Sequence, residues 1–488
     1  MDVSWITAAD LQAALRGREL SAVEVLEAVI ERSEAVNPKI NALALPLFDR
    51  ARDAAARADR ALARGEGGPL CGIPVTIKDS QWLAGVRCAN GSKTLEDFVP
   101  RETCAAVTRL EDAGAVIFAK TTCPEFSYLG VTFSEIYGTT ANPWDLTRTP
   151  GGSSGGAAAA VAAGLGPLSL GGDGGGSIRI PAAFCGLVGF KPSFGVVPRE
   201  PCFPAWKTLV SYGPMARSVA DARLMFQEIA GFHSHDRHST HAHDDEDEPI
   251  ALRGLRLVAS EDLGFAPIDE DVRAAYRQLL EKLEAAGVEL IFDNPGLRSS
   301  AKTWATTAFA DAWVSDREEL EHRGEILGQS TRASLEFGGK FALEDYLEAQ
   351  YEREKIHRAY ARLFDRTGAA ALLTPTLGCE AFGHGHMWPP RIGDTEIELP
   401  WVDWGGFLYD ANLAGFPACA LPMGFGDEGL PVSLQVIAPR GFDMRLLSIA
   451  ERLEEAVAWP GRYPDLAAPE EAKRPAAMPM VDEVSVEV

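Results

Sequence analysis

Basic residues are scarce in this sequence, and long apolar runs are absent from it. Its 46 lysines and arginines stand against 70 aspartates and glutamates, which gives a net charge of −24. A chain with this charge repels nucleic acids and anionic lipid surfaces, so we expect no nucleic acid and no membrane as partners. No apolar run approaches the roughly 20 residues that a membrane-spanning helix needs. The first residues also lack the basic-then-apolar order of a secretory signal peptide, and we therefore expect a cytoplasmic protein.

Metal-binding and disulfide patterns are missing as well. The eight cysteines are scattered, with no Cys-x-x-Cys pair, so we expect free thiols and neither a zinc site nor a disulfide framework. Residues 233–248 contain five of the nine histidines, followed by an acidic run. Two interpretations stay open for this segment, a metal-binding tract or a solvated surface loop.

Strand and helix patterns alternate regularly along the chain. The β-branched run Gly72–Ile77 predicts a buried strand that delivers Lys78 at its C-terminal end. A helix over Thr103–Ala113 and a strand over Ala115–Ala119 would complete a parallel crossover connection. Because no shift in composition divides the later elements from these, we expect an α/β fold in one large domain. Its sheet is predicted to be mixed, mostly parallel and twisted, with helices on both faces.

The expected domain spans residues 1–465, and we place its catalytic core at about residues 70–195. Residues 466–488 are rich in proline, alanine and glutamate and are predicted to form a flexible C-terminal tail.

The stretch from Thr149 to Pro181 contains two glycine clusters, each with a serine, around Ser153 and Ser177. Glycine at this density indicates backbone that approaches a ligand closely. The alanine-rich segment Gly155–Ala163 between the clusters predicts a tightly packed, buried helix. In open α/β sheets, functional sites collect at the carboxyl ends of strands, which is also where we expect Lys78.

Three common chemistries do not fit these clusters. Residues 151–155 match the G-x-S-x-G nucleophile elbow, but that motif follows a buried strand and residues 142–150 are loop-like. Neither cluster has the Gly-Lys-Ser/Thr of a phosphate-binding loop. Ser299 and Lys302 have the spacing of serine β-lactamases, without the Ser-Asp-Asn signature that accompanies it.

The motifs of this chain match those of a known family over residues 5–460. They include Gly-Ile-Pro-Val before Lys78-Asp79, GGSSGG at 151–156, GGSIRIP at 175–181 and GLPVSLQVIAP at 429–439. On these motifs the chain resembles the amidase signature family of serine hydrolases.

The resemblance implies a Ser-Ser-Lys triad. Ser177 would be the nucleophile that forms an acyl-enzyme, Ser153 would bridge it to the base Lys78, and the peptide between Gly152 and Ser153 would be cis. These roles make physical sense, since a serine hydroxyl needs an adjacent base. A lysine can be that base only where burial lowers its pKa from about 10.4.

The second glycine cluster is expected to stabilise the oxyanion that forms during acyl transfer. The backbone N–H groups of Gly174, Gly175, Gly176 and Ser177 would converge on it, and side chains at the glycine positions would block the substrate carbonyl.

Three polar residues beside the triad have expected supporting roles. Ser154 is interpreted as a hydrogen-bonding neighbour, while Asp173 and Arg179 are either partners that support the site or a buried structural ion pair. Where the family often has Thr-Asp-hydrophobic, this chain has Gly172-Asp173-Gly174. That difference removes a hydroxyl and a bulky side chain beside the nucleophile.

We therefore expect an amidase that cleaves a small-molecule amide through an acyl-enzyme, without a metal or other cofactor. Aromatic residues in five segments would form the pocket walls and favour aryl amides, carbamates or esters; the segments are 126–137, 202–206, 304–313, 384–388 and 401–407. Two alternatives stay open: the glutaminase subunit of a tRNA-dependent amidotransferase, which needs partner subunits, and a catalytically silent binding protein on the same fold. A homodimer is also left open.

Overall fold

The computed structural model describes residues 3–241, 250–397, 404–459, 463–464 and 466, and helices and strands are interspersed along this part of the chain. The helices are α1 Ala8–Arg16, α2 Ala22–Ile40, α3 Phe48–Arg64, α4 Ala105–Asp112, α5 Gly155–Ala162, α6 Arg179–Cys185, α7 Val219–Ile229, α8 Glu270–Ala285, α9 Ala301–Arg323, α10 Gln329–Gly338, α11 Leu343–Thr367, α12 Tyr409–Leu413 and α13 Asp443–Val457. The strands are β1 Leu43–Pro46, β2 Pro74–Lys78, β3 Val116–Thr121, β4 Phe133–Ser134, β5 Gly138–Thr139, β6 Leu168–Asp173, β7 Val188–Lys191, β8 Ser211–Ala216, β9 Arg256–Ala259, β10 Glu289–Phe292, β11 Ala371–Pro375, β12 Arg391–Ile392, β13 Thr395–Glu396, β14 Ala418–Phe425 and β15 Pro431–Ile437.

Within the described residues, eleven of these strands form one sheet, and the other four form two short ribbons. The order in the sheet is β1-β3-β2-β6-β8-β7-β14-β15-β11-β9-β10. Neighbours are parallel in the runs β3-β2-β6 and β11-β9-β10 and antiparallel elsewhere. The prediction of a large α/β domain with a mixed sheet flanked by helices is confirmed.

The strand β8 is an element that the sequence does not predict. It lies between β6 and β7, where Gly213 pairs with Gly171 and Pro214 with Leu170. Glycine and proline are rare inside central strands, so the local sequence is typical of a loop. Gly213 is required here because a Cβ atom would lie 2.1 Å from the carbonyl oxygen of Phe190.

The small-residue helix α5 lies in the core, as the sequence predicts. All eight of its residues are buried. Its first two positions admit only glycine, because Cβ atoms at Gly155 and Gly156 would lie 2.2 and 2.3 Å from the hydroxyls of Thr132 and Thr122. The tightly packed helix therefore fixes the position of the first glycine cluster relative to the second.

Two predictions concern segments that the structure describes only in part. The tail prediction for residues 466–488 lies outside the described residues, except at Leu466. Of the histidine-rich segment, residues 242–248 lie outside them too. Within the described ranges, no group of three histidine, cysteine or acidic side chains is arranged to hold a metal ion.

No described helix is long and apolar enough to cross a membrane. All eight cysteines are buried and free.

The packing of α5 predicts that it cannot accept a larger side chain. Ala160→Leu should lower the free energy of unfolding by about 1–3 kcal/mol, because Ala160 is fully buried in the core. Ala274→Leu is the matched control, since Ala274 is exposed on α8 and should tolerate leucine. Urea titration measures both changes. Equal losses in the two variants would contradict the tight packing of α5.

Candidate active site

Lys78 and Ser153 are in direct contact in the core. The strand β2 ends at Lys78, whose side chain is 2% exposed and whose Nζ donates a hydrogen bond of 2.6 Å to Ser153 Oγ. Gln81 fixes the end of the strand: its Oε1 accepts from the Lys78 backbone N–H at 3.0 Å, and its Nε2 donates to the Gly171 carbonyl at 3.1 Å. The link from β2 to β6 through Gln81 is a contact that the sequence did not predict.

Burial changes the acid–base behaviour of Lys78. Removal of its ammonium from water lowers the pKa to about 8, and nearby Cys123 and Asp173 oppose part of that change. A fraction of Lys78 is therefore uncharged near neutral pH and can accept a proton. An exposed lysine would remain almost fully protonated under the same conditions.

The next residue along the chain forms a separate ion pair. The Asp79 carboxylate lies 3.3 Å from Lys120 Nζ, and both side chains are buried. Tyr137 Oη donates a hydrogen bond of 2.8 Å to Asp79 Oδ2. Although burial alone would lower it, the pKa of Lys120 is raised by Asp79. Asp79 is thus neutralised by Lys120, away from Lys78.

The first glycine cluster places Ser153 through close backbone contacts. The peptide between Gly152 and Ser153 is cis, and a Cβ atom on Gly152 would lie 2.5 Å from the Val131 carbonyl oxygen. Ser154 ties this cluster to the second one. Its Oγ donates to the Gly172 carbonyl at 3.2 Å and accepts from the Gly172 N–H at 3.3 Å.

Ser177 lies just before α6, on the same cavity as the Lys78–Ser153 pair. Its carbonyl accepts a hydrogen bond of 3.2 Å from the Ser154 N–H, and the residue is 8% exposed. No described residue forms a hydrogen bond with the Ser177 hydroxyl. Lys78, Ser153 and Ser177 therefore line one cavity, with Lys78 and Ser153 in direct contact.

Of the four backbone N–H groups expected to stabilise the oxyanion, one already donates a hydrogen bond within the protein. The N–H of Gly176 donates to Asp173 Oδ1 at 2.7 Å, so it is occupied. Among the described residues, no acceptor takes the N–H groups of Gly174, Gly175 or Ser177. Gly176 has a φ of +116°, a conformation that favours glycine. The loop therefore presents three N–H groups and uses the fourth to hold its own shape.

Asp173 and Arg179 form a fully buried ion pair in the segment around Ser177. Arg179 Nε and Nη2 donate to the two carboxylate oxygens at 2.9 and 3.0 Å. Arg179 also donates to Gln435 Oε1 at 2.7 Å and to Asn412 Oδ1 at 2.5 Å. Burial alone would raise the pKa of Asp173, but the Arg179 guanidinium holds it well below its usual range. This network fixes the loop before Ser177 to β15 and α12.

Comparison with known proteins identifies the family. The sequence model of the Amidase family matches residues 24–447. The chain belongs to the amidase signature family.

Relatives cover almost the whole chain. A glutamyl-tRNA(Gln) amidotransferase subunit of Carboxydothermus hydrogenoformans is 34% identical over 486 residues, which cover 93% of this chain and 98% of the relative. The acylamidase of Rhodococcus erythropolis is 33% identical over 486 residues, which cover 95% and 98%. A crystal structure of a bacterial aryl acylamidase of the same family has a TM-score of 0.87 at 26% identity and covers 95% of this chain and 100% of its own.

Two tryptophans occupy the space beside Gly174, where the chain departs from the usual pattern of the amidase signature family, and beside Gly175, where it keeps that pattern. Cβ atoms at Gly174 and Gly175 would lie 2.6 Å from the rings of Trp206 and Trp304. The Trp304 indole N–H donates to the Gly174 carbonyl at 2.9 Å, and the two rings meet edge to face with centroids 5.5 Å apart. At Gly174, the space of the missing bulky side chain is filled by Trp206, which is distant in the sequence.

Two cavities meet at Ser177. The first is also lined by Lys78 and Ser153, and the second by Trp304 and Tyr409. Four of the five segments expected to form walls contribute to them, through residues 126–130, 203–206, 304 and 404–405. Residues 384–388 line neither cavity, and residues 401–403 lie outside the described chain.

Arg199, Asp316 and Tyr409 are among the wall residues that were not predicted from the sequence. They lie in different segments and share no motif with the triad, so only the fold brings them together. A larger cavity lies elsewhere, lined among others by Ser299 and Asp262, and Lys78, Ser153 and Ser177 do not line it.

Because the Asp173–Arg179 ion pair is fully buried, we expect its removal to lower the stability of the protein strongly. Asp173→Asn should lower the free energy of unfolding by about 3–5 kcal/mol, because it leaves the Arg179 charge buried without a partner. The loss of unfolding free energy in the double variant Asp173→Asn/Arg179→Met should be smaller than the summed losses in Asp173→Asn and Arg179→Met.

Glu27→Gln is the control for this measurement, since its pair with Arg52 is exposed and screened by water. Urea titration at pH 7 measures all four variants. Additive losses at Asp173 and Arg179 would contradict the coupling between them.

Proposed function

We propose that this chain is an amidase that hydrolyses the C–N bond of small-molecule carboxylic amides through an acyl-enzyme on Ser177. The observation that carries the proposal is the 2.6 Å hydrogen bond from Lys78 to Ser153 on the cavity that also contains Ser177. Membership of a family whose relatives include an acylamidase supports the same chemistry.

Acylation begins with attack of Ser177 Oγ on the amide carbonyl. Ser153 accepts the proton from Ser177 while it donates its own to uncharged Lys78. As the tetrahedral intermediate collapses, the relay reverses and a proton passes from Lys78 through Ser153 to the leaving nitrogen. The C–N bond breaks, the amine leaves, and Ser177 carries the acyl group as an ester.

Deacylation uses the same groups with water as the nucleophile. A water molecule attacks the ester carbonyl while its proton passes through Ser153 to Lys78. Ser177 then leaves with a proton returned by that route, and the carboxylic acid is released. In both steps the oxyanion is stabilised by the N–H groups of Gly174, Gly175 and Ser177, which have no acceptor among the described residues. One such donor typically contributes about 10²–10³ in rate.

The walls of the two cavities favour apolar substrates. Phe126, Tyr128 and Trp206 lie beside the triad, and Trp304 and Trp404 lie in the second cavity. Rings of this kind pack well against aryl groups. We therefore include aryl amides, and also carbamates and esters, among the substrates.

A glutaminase subunit of a tRNA-dependent amidotransferase is the second candidate function, because relatives named as glutamyl-tRNA(Gln) amidotransferase subunits are 33–35% identical to this chain. Such a protein would release ammonia from glutamine and would bind partner subunits. Ammonia release from glutamine and co-purification from the native host separate it from a free-standing amidase.

Ser177→Ala should abolish both covalent labelling and turnover. A fluorophosphonate probe should label the wild type at Ser177 only, and amide hydrolysis by Ser177→Ala should fall by about 10⁴–10⁶. Mass spectrometry of tryptic peptides locates the adduct. Ser299→Ala is the control, since Ser299 lies on the other cavity and should not affect labelling. An unlabelled wild-type protein would leave the silent binding protein as the better interpretation.

The rate of labelling should depend on pH through Lys78. The base is its uncharged form, so the rate should rise about tenfold per pH unit below the pKa of about 8 and level off above it. Rates measured between pH 6 and 9.5, corrected for hydrolysis of the probe, test this. A rate that does not change across the range would show that Lys78 is not the base.

A further inference from the structure

Asp316 is a carboxylate on the wall of the catalytic cavity that has no positively charged partner among the described residues. It lies on α9 and lines the cavity that contains the proposed triad. Its oxygens accept hydrogen bonds from Tyr128 Oη and, at 3.1 Å, from Ser315 Oγ. Within the part of the chain that the structure describes, no lysine, arginine or histidine forms an ion pair with it.

Two further carboxylates, Glu319 and Asp311, act on Asp316 with a charge of the same sign as its own. Burial, together with the carboxylates of Glu319 and Asp311, raises the pKa of Asp316 to about 6. Asp316 is therefore ionised at pH 7 and above. Both of these carboxylates have cations of their own: Glu319 lies 3.6 Å from Arg323, and Asp311 interacts with the positive charges of Lys207 and Arg199.

Arg199 lines the same cavity, but other groups balance its charge. Its backbone N–H donates to Asp236 at 2.8 Å, and its Nη2 donates to the Lys207 carbonyl at 3.0 Å. The carboxylates of Asp236 and Asp311 both interact with its positive charge. Arg199 therefore does not supply the missing partner of Asp316.

Aromatic rings lie on the same wall as Asp316. Tyr128 stacks on Trp206 with ring centroids 5.2 Å apart, and Phe126 lies 5.8 Å from Tyr128. Faces of such rings attract cations. Trp206 is 6% exposed, and its indole N–H has no acceptor among the described residues. A buried donor without an acceptor is costly unless a ligand or water satisfies it.

We propose that this cavity selects amides in which the part bound there carries a protonated or quaternary amine, and that Asp316 recognises the positive charge. The substrate supplies the cation that Asp316 lacks, and a polar atom of the substrate can accept from Trp206. The rings of Tyr128 and Trp206 keep water away from the ion pair and strengthen it. This inference rests on the proposed function, since the cavity is the one that contains Ser177.

The test uses two aryl amides that differ only in a trimethylammonium group on one and a tert-butyl group on the other. These groups have the same shape and differ in charge. The wild-type kcat/KM should be at least about tenfold higher for the cation. Asp316→Asn should bring the ratio of the two values close to one. Glu318→Gln, which removes an exposed carboxylate from the same helix, should leave the ratio unchanged.

A wild-type ratio near or below one overturns the inference, and so does an Asp316→Asn variant that lowers both values equally. Calorimetric binding of the two amides to Ser177→Ala is a second measurement that needs no turnover, and it should show the same preference. If neither amide is hydrolysed and the fluorophosphonate does not label Ser177, the proposed function fails. Calorimetry then still decides the preference for a cation.

Discussion

The burial of one ammonium group is the constraint on which the site depends. Lys78 has a pKa near 8 because its amine lies in the core, and a carboxylate against that amine would restore the ordinary value. The nearest carboxylate in sequence, Asp79, is instead paired with Lys120 and Tyr137. The amine of Lys78 is left to the hydroxyl of Ser153. Because Lys120 pairs with Asp79, that carboxylate does not raise the pKa of Lys78, and Lys78 can accept a proton near neutral pH.

The Asp173 carboxylate holds the loop before Ser177 in its conformation. It accepts from Arg179 and from the Gly176 N–H, and Asn412 Nδ2 donates to it at 2.9 Å. With its pKa held well below the usual range, it cannot take up a proton at neutral pH. The sequence left two interpretations of Asp173 and Arg179 open, and the contacts combine them: the ion pair is structural, and what it holds in place is the loop before Ser177.

The sequence predicts the parts of this molecule that depend on local patterns. The β-branched run before Lys78 and the alanine-rich helix α5 have unambiguous periodicity and composition, and both form where expected. The strand β8 does not have such a pattern, because Gly213 serves a close backbone approach that is visible only in the folded sheet. The engagement of the Gly176 N–H by Asp173 likewise depends on a loop conformation that a list of glycines does not specify.

The walls of the cavity show why family membership leaves the substrate open. In this chain Trp206 and Trp304 occupy the space next to Gly174 and Gly175, so the shape of the cavity beside Ser177 is set by segments far from the signature motifs. Asp316 belongs to one of those segments as well. None of these three residues contacts Lys78 or Ser153 through a hydrogen bond, whereas Trp304 does bond to the loop at Gly174. The shape of the cavity around Ser177 therefore depends on α9 and the segment around Trp206, which lie outside the signature motifs.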